Sequence, residues 1–294
     1  MHKAGFVNIV GLPNVGKSTL MNALVGERMS IISPKAQTTR HRIIGIVNEE
    51  NYQIVFSDTP GYINEPAYQL HRSMNNFVHQ SFEDADVLLF ITDKYQKAEE
   101  QAFIVSQITK SSVPCILLLN KIDLCKEGEV EKLEAYWKEQ LPKAEFLAIS
   151  AEKKINIEQI ATGVLKHLPE SPAFYGKDEL TDRNMRYFVA EIVREKIFLN
   201  YDKEIPYSCE VDCEDYKETD KIDRIRCLIY VERDSQKNII IGKGGSAINK
   251  VGTEARKDIE EFIGKKVFLD LFVKVRPNWR NNELSLKSFG YKGD

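Results

Sequence analysis

The chain has 294 residues and a net charge of −3, and 43% of its residues are hydrophobic. That fraction is ordinary for a globular protein, and the length predicts two domains of about 100–200 residues each. No apolar run approaches the ~20 residues needed to cross a bilayer, and the first residues lead directly into a strand pattern. These observations exclude a membrane-spanning helix and predict that no signal peptide is present.

The charged residues are distributed unevenly along the chain. Residues 237–294 contain 12 Lys and Arg against 7 Asp and Glu, so the preceding residues are acidic. A basic end on an acidic chain indicates a surface for a polyanion near the C terminus.

The cysteines indicate a reducing compartment. They are Cys115, Cys125, Cys209, Cys213 and Cys227. An odd number without a secretory signal predicts reduced, cytosolic thiols. Cys209 and Cys213 fall on one face of an alternating strand pattern, and no partner Cys/His pair has ligand spacing. We expect them to pack in a core rather than to hold a metal.

The first half of the chain alternates between apolar runs and helical patterns. The runs lie at 6–10, 54–57, 87–91, 115–119 and 146–149, and the helical patterns near 17–25, 70–82, 98–110, 130–141 and 155–167. This alternation predicts an α/β domain, a mostly parallel sheet with helices on both faces. Residues 43–47 directly precede another strand and are expected to form an antiparallel edge. The pattern ends at Pro169 and Pro172, which predict a helix stop and a linker.

A full phosphate-binding loop follows the first predicted strand. It consists of Gly11, Leu12, Pro13, Asn14, Val15, Gly16, Lys17 and Ser18. In this pattern, backbone N–H groups and the positive end of the next helix face a phosphate, and the glycines allow close approach. Lys17 is expected to neutralise the β- and γ-phosphates, and the Ser18 hydroxyl to bind Mg²⁺.

A second motif is expected to sense the terminal phosphate and the metal. It consists of Asp58, Thr59, Pro60 and Gly61, followed by Tyr62. Asp58 ends a predicted strand, where it can hold Mg²⁺ through water, and the Gly61 N–H can detect a γ-phosphate. The polar residues 35–42 lie between the two motifs, and a threonine there is expected to cap the metal. We favour Thr39 over Thr38 for this role.

A third motif is expected to select the base. It consists of Asn120, Lys121, Ile122 and Asp123, and it is supported by Ser150, Ala151 and Glu152 after a later strand. Asp123 offers two acceptor oxygens to the ring N–H and amino group of guanine, which adenine does not present. Asn120 is expected to tie the loop together, the stem of Lys121 to lie over the base, and the backbone at 150–152 to meet the guanine oxygen. The three motifs in this order predict a GTPase.

The second half of the chain has a different order of elements. A helix is predicted over 185–197, strands near 206–213, 225–232 and 267–275, and a Gly-x-x-Gly turn at 242–245 between a short helix and a longer one. The predicted divisions are a first domain at 1–168, a linker at 169–184, a second domain at 185–276 and a basic C-terminal tail at 277–294.

These motifs resemble those of the Era GTPases, in the larger TrmE–Era–EngA group. The resemblance covers the whole chain, because the nucleotide motifs and residues 37–42 are joined by 241–245, 254–258 and 273–276 with Trp279. It implies a Ras-like P-loop GTPase domain followed by an α+β type II KH domain. It further implies a bacterial ribosome-assembly GTPase whose partners are the small ribosomal subunit and single-stranded rRNA at the 3′ end of 16S rRNA, with peripheral association at the cytoplasmic face of the cell membrane.

One position departs from the Ras-like pattern. Tyr62 stands where Ras-like enzymes place the glutamine that orients the attacking water. The resemblance implies a potassium ion held partly by Asn14, and the alternative for Asn14 is a turn residue that bonds within its own loop. Both interpretations of Asn14 remain open. The expected catalytic residues are Lys17, Thr39, Gly61 and Asn14.

The expected RNA site centres on the Gly-x-x-Gly turn, with which KH domains hold about four nucleotides. The candidate residues are Ile241, Gly242, Lys243, Gly244, Gly245, Ile248, Lys250, Arg256, Lys257, Lys274, Arg276, Trp279 and Arg280. Gly242 and Gly245 make room for the RNA backbone, and Lys243 adds charge. Arg256 and Lys257 are equally consistent with solvated helix charges, and Trp279 with core packing instead of stacking on a base.

The motifs predict a cytoplasmic switch that hydrolyses GTP to GDP with Mg²⁺. The resemblance further implies a monomer that binds rRNA and assists 16S rRNA processing and 30S subunit assembly. One alternative is a phosphate-loop kinase acting on ATP, against which Asn120 and Asp123 argue. Another is a constitutive RNA-binding protein with a vestigial nucleotide site, against which the intact Lys17, Ser18 and Asp58 argue.

Overall fold

The computed structural model describes residues 2–291, which form two compact units. The first unit comprises the residues up to Ser30, Thr39–Glu65 and Met74–Asp182. The second comprises Ile31–Thr38, Pro66–Ser73 and the residues from Arg183 onward. Two short segments from the first half of the sequence therefore belong to the second unit. Within the described range, no helix is both long enough and apolar enough to cross a bilayer.

The first unit is an α/β domain. Its strands are β1 (Lys3–Val10), β2 (Ile43–Asn48), β3 (Tyr52–Asp58), β4 (Val87–Asp93), β5 (Cys115–Asn120) and β6 (Glu145–Ala148). Its helices are α1 (Lys17–Val25), α2 (Gln69–Glu83), α3 (Ala102–Lys110), α4 (Glu129–Gln140) and α5 (Ile157–His167). The start of α2, as far as Ser73, falls in the second unit. The prediction of a strand–helix alternation is confirmed, and only the ends of the elements differ by a few residues.

The sheet brings the three nucleotide motifs to one edge. Its strand order is β2-β3-β1-β4-β5-β6, with β2 antiparallel to β3 and the other neighbours parallel. Ile9 pairs with Asp58 and Asp93 pairs with Asn120, so the carboxyl ends of the central strands lie side by side. In open α/β sheets, ligands bind at that edge, where the strand order reverses.

The predicted linker, 169–184, is largely part of the first unit. The backbone N–H of Ile46, on the edge strand β2, donates to the Leu180 carbonyl at 2.8 Å. The buried Gln53 side chain donates to the Tyr175 carbonyl at 2.9 Å and accepts from the Phe174 N–H at 2.7 Å. The segment after Pro169 thus accepts a backbone hydrogen bond from the edge strand β2 and pairs with the buried Gln53 side chain of β3. The lack of periodicity in this segment did not reveal either contact.

The second unit has the KH arrangement. Its main elements are α6 (Met185–Asn200), α7 (Ile205–Ser208), β7 (Glu210–Lys217), β8 (Asp223–Val231), α8 (Asp234–Ile241), α9 (Ser246–Ile263), β9 (Val267–Val275) and α10 (Glu283–Ser288). The sheet order is β7-β8-β9, with β7 antiparallel and β9 parallel to β8. Buried residues of α6 and α9 share one apolar core with the strands, and Cys209, Cys213 and Cys227 lie in that core.

Two expectations about this unit are wrong. Residues 206–208 are helical instead of extended, because Pro206 in the first turn of α7 lacks an N–H that a strand would need. The C-terminal residues do not form a tail, since a turn at Trp279–Asn281 and α10 follow β9. Trp279, Leu286 and Tyr291 are all buried, which anchors this stretch to the unit. The last predicted tail residues, 292–294, lie outside the described residues.

Candidate functional site

The phosphate-binding loop connects β1 to α1 in a conformation that requires its glycines. Gly16 has φ 104°, a left-handed conformation, and a Cβ there would collide with the Asn120 side chain. Asn14 is also left-handed, with φ 65°, which asparagine tolerates better than most residues. A Cβ on Gly61 would come 2.6 Å from Pro13, so the second motif approaches the loop closely.

Lys17 is buried under this loop. Its Nζ donates to the carbonyls of Gly11 at 3.1 Å and Leu12 at 2.8 Å. Burial lowers the pKa of Lys17 to about 8, although the nearby charge of Asp58 opposes that effect. An ammonium group that has lost most of its water attracts phosphate oxygens more strongly than a solvated one, because less solvent screens the two charges.

Three oxygen side chains converge beside Lys17. The Ser18 hydroxyl lies 2.7 Å from Thr39 Oγ1 and donates to Asp58 Oδ2 at 2.7 Å. Asp58 is fully buried, and its Oδ1 accepts no hydrogen bond from the described residues. Burial raises the pKa of Asp58, and the charge of Lys17 and the hydroxyl of Ser18 oppose this. Clustered hydroxyl and carboxylate oxygens with one buried oxygen unpaired fit Mg²⁺.

Thr38 and Thr39 have different surroundings. Thr38 Oγ1 donates to the Lys35 carbonyl at 2.7 Å and lies 2.5 Å from Ser33 Oγ. Its hydroxyl is therefore engaged within its own segment, whereas that of Thr39 meets Ser18. The geometry supports the preference for Thr39 as the metal-facing threonine.

The third motif ties the base-side loops to the phosphate loop. Asn120 donates to the Val15 carbonyl at 2.8 Å and accepts from the Ala151 N–H at 2.9 Å. Lys121 donates to the Asn14 carbonyl at 2.7 Å. Asp123 is exposed and forms no hydrogen bond with the described residues, so both carboxylate oxygens can meet a base. The hydrogen bonds of Asn120 and Lys121 thus fix the loop that carries the Asp123 carboxylate.

The Gly-x-x-Gly turn joins α8 to α9. Gly242, Gly244 and Gly245 have φ of 72°, 58° and 80°, in the region that favours glycine. A Cβ on Gly242 would lie 2.7 Å from the Ala247 Cβ. Lys243 and Gly244 are exposed at the tip of the turn, while Ile241 and Ile248 are half-buried against the core. The turn therefore presents backbone and one cation to solvent.

A groove continues from this turn along α9. Ile248, Gly252 and Arg256 follow each other at intervals of four and face Leu269 and Leu271 of β9 across a cavity of about 330 Å³. Its lining combines these apolar side chains with Asn249, Thr253 and the carboxylate of Asp270, and Arg256 lies at one end of α9's contribution. Lys250 and Lys257 are exposed and do not line it.

Comparisons with known proteins agree with this geometry. A 50S ribosome-binding GTPase family model matches residues 6–121, and a KH domain model matches residues 204–280. GTPase Era of Pseudomonas putida is 41% identical over 290 residues, covering 98% of this chain and 97% of that protein. The chloroplastic GTPase ERA-like protein of Oryza sativa subsp. japonica is 42% identical over 297 residues, covering 100% of this chain and 70% of that protein.

The chain belongs to the Era GTPase family.

Two solved structures extend the likeness to the whole fold. Era in complex with MgGDPNP and nucleotides 1506–1542 of 16S ribosomal RNA has a TM-score of 0.94 and 39% identity, covering 99% of both chains. A tyrosine-to-alanine variant of Aquifex aeolicus Era bound to GDP and AlF₄⁻ has a TM-score of 0.94 and 38% identity, covering 98% of this chain and 99% of that one. This Era-family protein is thus a GTPase with a Ras-like domain and a KH domain.

Thr59 and Tyr62, in and directly after the second motif, both contact other side chains or backbone groups of this Era-family protein. Thr59 is fully buried, and its hydroxyl donates its proton to the Ile9 carbonyl at 2.8 Å, so it braces β1 and has no proton to donate to a nucleotide. The Tyr62 ring stacks on Phe103 at 4.0 Å and meets His79 edge-on at 6.3 Å. An aromatic cluster therefore orients Tyr62.

Trp279 does not provide the base-stacking surface that was one of its two expected roles. Its side chain is fully buried, its Nε1 donates to the Ser208 carbonyl at 3.0 Å, and its ring meets Phe289 edge-on. It fills the core, which was the alternative interpretation. The Arg276 guanidinium lies 4.8 Å from the Phe289 ring centre and donates to Ser288 Oγ at 3.1 Å, so it braces α10.

Three further candidates for RNA binding lie near carboxylates of the same unit, at distances that differ. Arg280 forms an ion pair with Glu232, so its charge is compensated. Lys274 is exposed, at 3.5 Å from Glu214. Lys250 is 3.9 Å from Glu254.

Asp93 was missed by the sequence analysis. It ends β4 beside Asn120, is nearly buried, and accepts from Lys121 Nζ at 2.7 Å and from the Tyr95 N–H at 2.9 Å. Its carboxylate thus orients the lysine of the base-selecting motif. In the sequence, Asp93 is only an acidic residue at the carboxyl end of a buried strand. No local pattern distinguishes it from an acidic residue at the end of any other strand.

Proposed function

We propose that this Era-family GTPase is a GTP-dependent switch that binds single-stranded rRNA at the 3′ end of 16S rRNA and assists its processing during 30S subunit assembly. The observation that carries the proposal is the pairing, in one chain, of a braced guanine nucleotide site with an exposed Gly-x-x-Gly turn. A relative of the same fold has been solved with a GTP analogue and 16S rRNA nucleotides bound together.

For hydrolysis, the chain supplies charge and hydrogen-bond donors around the phosphates. Ser18, Thr39 and Asp58 would hold Mg²⁺, which supplies positive charge to the β- and γ-phosphates when bound. Lys17 adds a second cation, and the Gly61 N–H provides a donor for the γ-phosphate. Each group acts by electrostatic stabilisation, so losing any one should slow turnover more than it weakens GDP binding.

Asn14 is proposed as part of a potassium site. Tyr62 is engaged with Phe103 and has no side-chain amide with which to orient water, so another group must contribute to the transition state. The Asn14 carbonyl already accepts from Lys121, which fixes the loop around its side chain.

The test of the potassium proposal is hydrolysis in potassium and in sodium at equal ionic strength. We expect faster turnover in potassium, and Asn14→Gly should abolish the difference because glycine keeps the left-handed backbone while removing the amide. Equal rates of the parent protein in both salts would contradict a potassium site.

The two activities are proposed to be coupled through residues 31–38, which belong to the second unit. The buried Arg194 of α6 donates to the Thr38 carbonyl at 2.6 Å and pairs with Glu191. Glu195 accepts from the Ile32 N–H at 3.0 Å. Helix α6 of the KH domain therefore holds the residues that immediately precede Thr39.

Lys35 adds a further anchor to this segment. Its Nζ donates to the Phe198 carbonyl at 2.7 Å and forms an ion pair with Asp202 at 2.9 Å. When Thr39 moves to contact the metal beside the γ-phosphate, residues 31–38 either move with it or oppose its movement, because α6 holds them. By linkage, any bias of α6 by RNA then acts on GTP affinity by the same factor.

The simplest test of the overall function combines turnover with RNA binding. We expect the purified protein to hydrolyse GTP and not ATP, and to bind an RNA with the sequence of 16S nucleotides 1506–1542. Absence of turnover with intact RNA binding would identify a constitutive RNA-binding protein with a vestigial nucleotide site.

We also propose that the protein acts as a monomer in the cytoplasm and associates peripherally with the membrane. Four of its five cysteines are buried and none is in a disulfide, as expected in a reducing compartment. Sedimentation at several concentrations and fractionation of cells with and without high salt would test the two statements separately.

A further inference from the structure

Two cysteines in the core of the KH domain face each other across neighbouring strands. Cys213 on β7 pairs directly with Cys227 on β8 in the antiparallel ladder. Side chains of directly paired residues lie on the same face of a sheet, and both thiols belong to the apolar core that the strands share with α6 and α9. The fold therefore places two thiols side by side in an apolar environment.

The spacing of the strands suits a bond between the two sulfur atoms. Directly opposed residues of an antiparallel pair have Cα atoms about 4.5–5.5 Å apart, and disulfides join residues whose Cα atoms are about 4.4–6.8 Å apart. The Cys227 thiol also donates a hydrogen bond to the Cys213 sulfur. The sulfur atoms are thus in contact while both cysteines are reduced, and a disulfide needs no change in strand register.

Cys213 is the member of the pair that should react first. The hydrogen bond from Cys227 lowers the pKa of the Cys213 thiol, and the charge of Arg186 acts in the same direction, although burial opposes both. The same hydrogen bond, together with burial, raises the pKa of Cys227. Because the thiolate is the nucleophile in thiol oxidation, the sulfur of Cys213 is the one that attacks an oxidant.

A break in the ladder gives Cys213 access to small solutes. The register between β7 and β8 shifts between Cys213 and Asp215, and the Cys213 thiol donates to the Asp215 carbonyl at 3.6 Å. A bulge interrupts the hydrogen bonds of a ladder, so a strand opens there at a lower free energy than elsewhere. Cys213 is 5% exposed and Cys227 is fully buried, which also places the first contact with an oxidant at Cys213.

Cys209 offers a control within the same core. It is fully buried, and its thiol donates to the Pro206 carbonyl at 3.5 Å. It precedes Cys213 by four residues of extended chain, which cover about 13 Å at 3.3 Å per residue. Cys209 therefore shares the burial of the pair but is too far along the chain direction to bond with either member in the folded protein.

We propose that Cys213 and Cys227 are an oxidisable dithiol, which a peroxide closes to a cross-strand disulfide within the KH domain. Disulfides that form transiently in a reducing compartment are usually catalytic or redox-sensing, and a buried pair away from any reacting group fits a redox-sensing site. The proposal goes beyond the proposed rRNA function and does not depend on it, because the thiol chemistry needs neither bound nucleotide nor RNA.

The reaction consumes one peroxide and yields water. The Cys213 thiolate attacks one oxygen of hydrogen peroxide, the O–O bond breaks, and the departing hydroxide takes up the proton that Cys213 lost, which leaves a sulfenic acid. The Cys227 sulfur then attacks the Cys213 sulfur, the S–O bond breaks, and the departing hydroxide takes the Cys227 proton. The two thiols together lose two electrons and form one disulfide, while hydrogen peroxide is reduced to two water molecules.

The experiment uses the full chain with Cys125→Ser, which removes the partly exposed thiol. The protein is treated with an equimolar amount of hydrogen peroxide, its remaining thiols are alkylated, and tryptic peptides are identified by mass spectrometry. Trypsin releases residues 204–217, which contain Cys209 and Cys213, and residues 227–233, which contain Cys227. We expect these two peptides to be joined through Cys213, two of the four remaining thiols to be lost, and dithiothreitol to restore both.

Controls show whether the fold directs the bond. Cys209→Ala should still give the joined peptides, whereas Cys213→Ala should leave Cys227 as a free thiol. Protein denatured in urea before the peroxide should give a mixture that includes the bond between Cys209 and Cys213, because only the fold holds these two apart. Fragmentation of the joined peptides assigns the bond with all core cysteines in place, so the test stands even where a core variant fails to fold.

Three results would overturn the proposal. One is the absence of joined peptides from the folded protein after the peroxide has been consumed. Another is the same mixture of bonds from folded and denatured protein. The third is a bond between Cys209 and Cys227 in the folded Cys213→Ala protein.

Discussion

The nucleotide site and the RNA-binding turn of this protein are built in opposite ways. In the nucleotide site, Asp58 and Asn120 are buried and hydrogen-bonded, and Ser18 meets two oxygen partners at 2.7 Å each. At the RNA turn, Lys243 and Gly244 are exposed and bear no such braces. A small ligand with a specific charge distribution needs pre-positioned groups, whereas a phosphate polymer needs accessible backbone and charge.

This difference has a consequence for mutation. In the nucleotide site, each side chain supports its neighbours, so a change in one group should affect base choice or turnover steeply. On the RNA surface, contacts are more independent, so effects should be smaller and more nearly additive.

The largest effect is expected at the base-selecting carboxylate. Asp123→Asn replaces an acceptor by a group that also donates, which mismatches the guanine amino group and suits the oxygen of xanthine. GTP affinity should fall by about a hundredfold or more, as when a site built for a hydrogen bond loses it. Xanthosine triphosphate affinity should rise in parallel. Unchanged GTP affinity would show that Asp123 does not contact the base.

A smaller effect is expected at the Gly-x-x-Gly turn. Changing Lys243 and Gly244 to Asp places two negative charges where a phosphate backbone approaches, and RNA affinity should fall by at least about tenfold at low salt. Changing Lys203 and Gly264 to Asp makes the same charge change at exposed positions of positive φ away from the turn. That control should retain most RNA binding, and GTP binding should be unchanged in both proteins.

Nucleotide affinity should depend on pH through Lys17, whose pKa is about 8 without nucleotide. Phosphates favour the charged amine, so the pKa rises on binding and the protein takes up a proton above pH 8. The contribution of Lys17 to GTP affinity should therefore be constant below pH 7 and fall above pH 8, by up to about tenfold per pH unit. Lys17→Arg, which remains charged, should bind GTP without this decline. A parent affinity that is flat to pH 9 would contradict the assignment.

The smallest effect on RNA binding is expected at Trp279. Trp279→Phe removes the hydrogen bond to Ser208 and leaves a small cavity, so the protein should lose about 1–3 kcal/mol of stability. RNA affinity of the folded protein should stay within about twofold of the parent. A large loss of RNA affinity without loss of stability would show that Trp279 contacts RNA and contradict its role as a core residue.

The sequence predicted the fold well because hydrophobic periodicity is read locally. The alternation from β1 to α5 and the order of the KH elements each rest on short patterns, and the nucleotide motifs bind through chemistry that is set within a few residues. Pro206 was misjudged because its neighbours alternate as a strand would, although the missing N–H favours a helix start.

Long-range packing was beyond the sequence. Nothing local to residues 31–38 shows that Arg194, more than 150 residues later in the chain, donates a hydrogen bond to the Thr38 carbonyl. The burial of Trp279 likewise depends on Ser208 and Phe289, and the separation of Arg256 from Lys257 depends on which face of α9 meets β9. Spacing alone identifies candidates, and packing decides among them.

The proposed coupling between nucleotide and RNA should weaken when Lys35 is changed, and this change leaves no buried charge unpaired. Lys35→Met keeps the aliphatic stem but removes the bonds to Phe198 and Asp202, and Lys166→Met makes the same change on α5, outside the segment. We expect the first variant to reduce the effect of nucleotide on RNA affinity and the second to leave it unchanged.

The most direct test of the account is the RNA affinity of the parent protein with a non-hydrolysable GTP analogue and with GDP. We expect binding to be at least about fivefold tighter with the analogue, the lower end of typical coupling between two sites. RNA should then raise the affinity for the analogue over GDP by the same factor. Equal RNA affinities in the two nucleotide states would contradict the account, since the chain would then hold two independent binding modules and no switch.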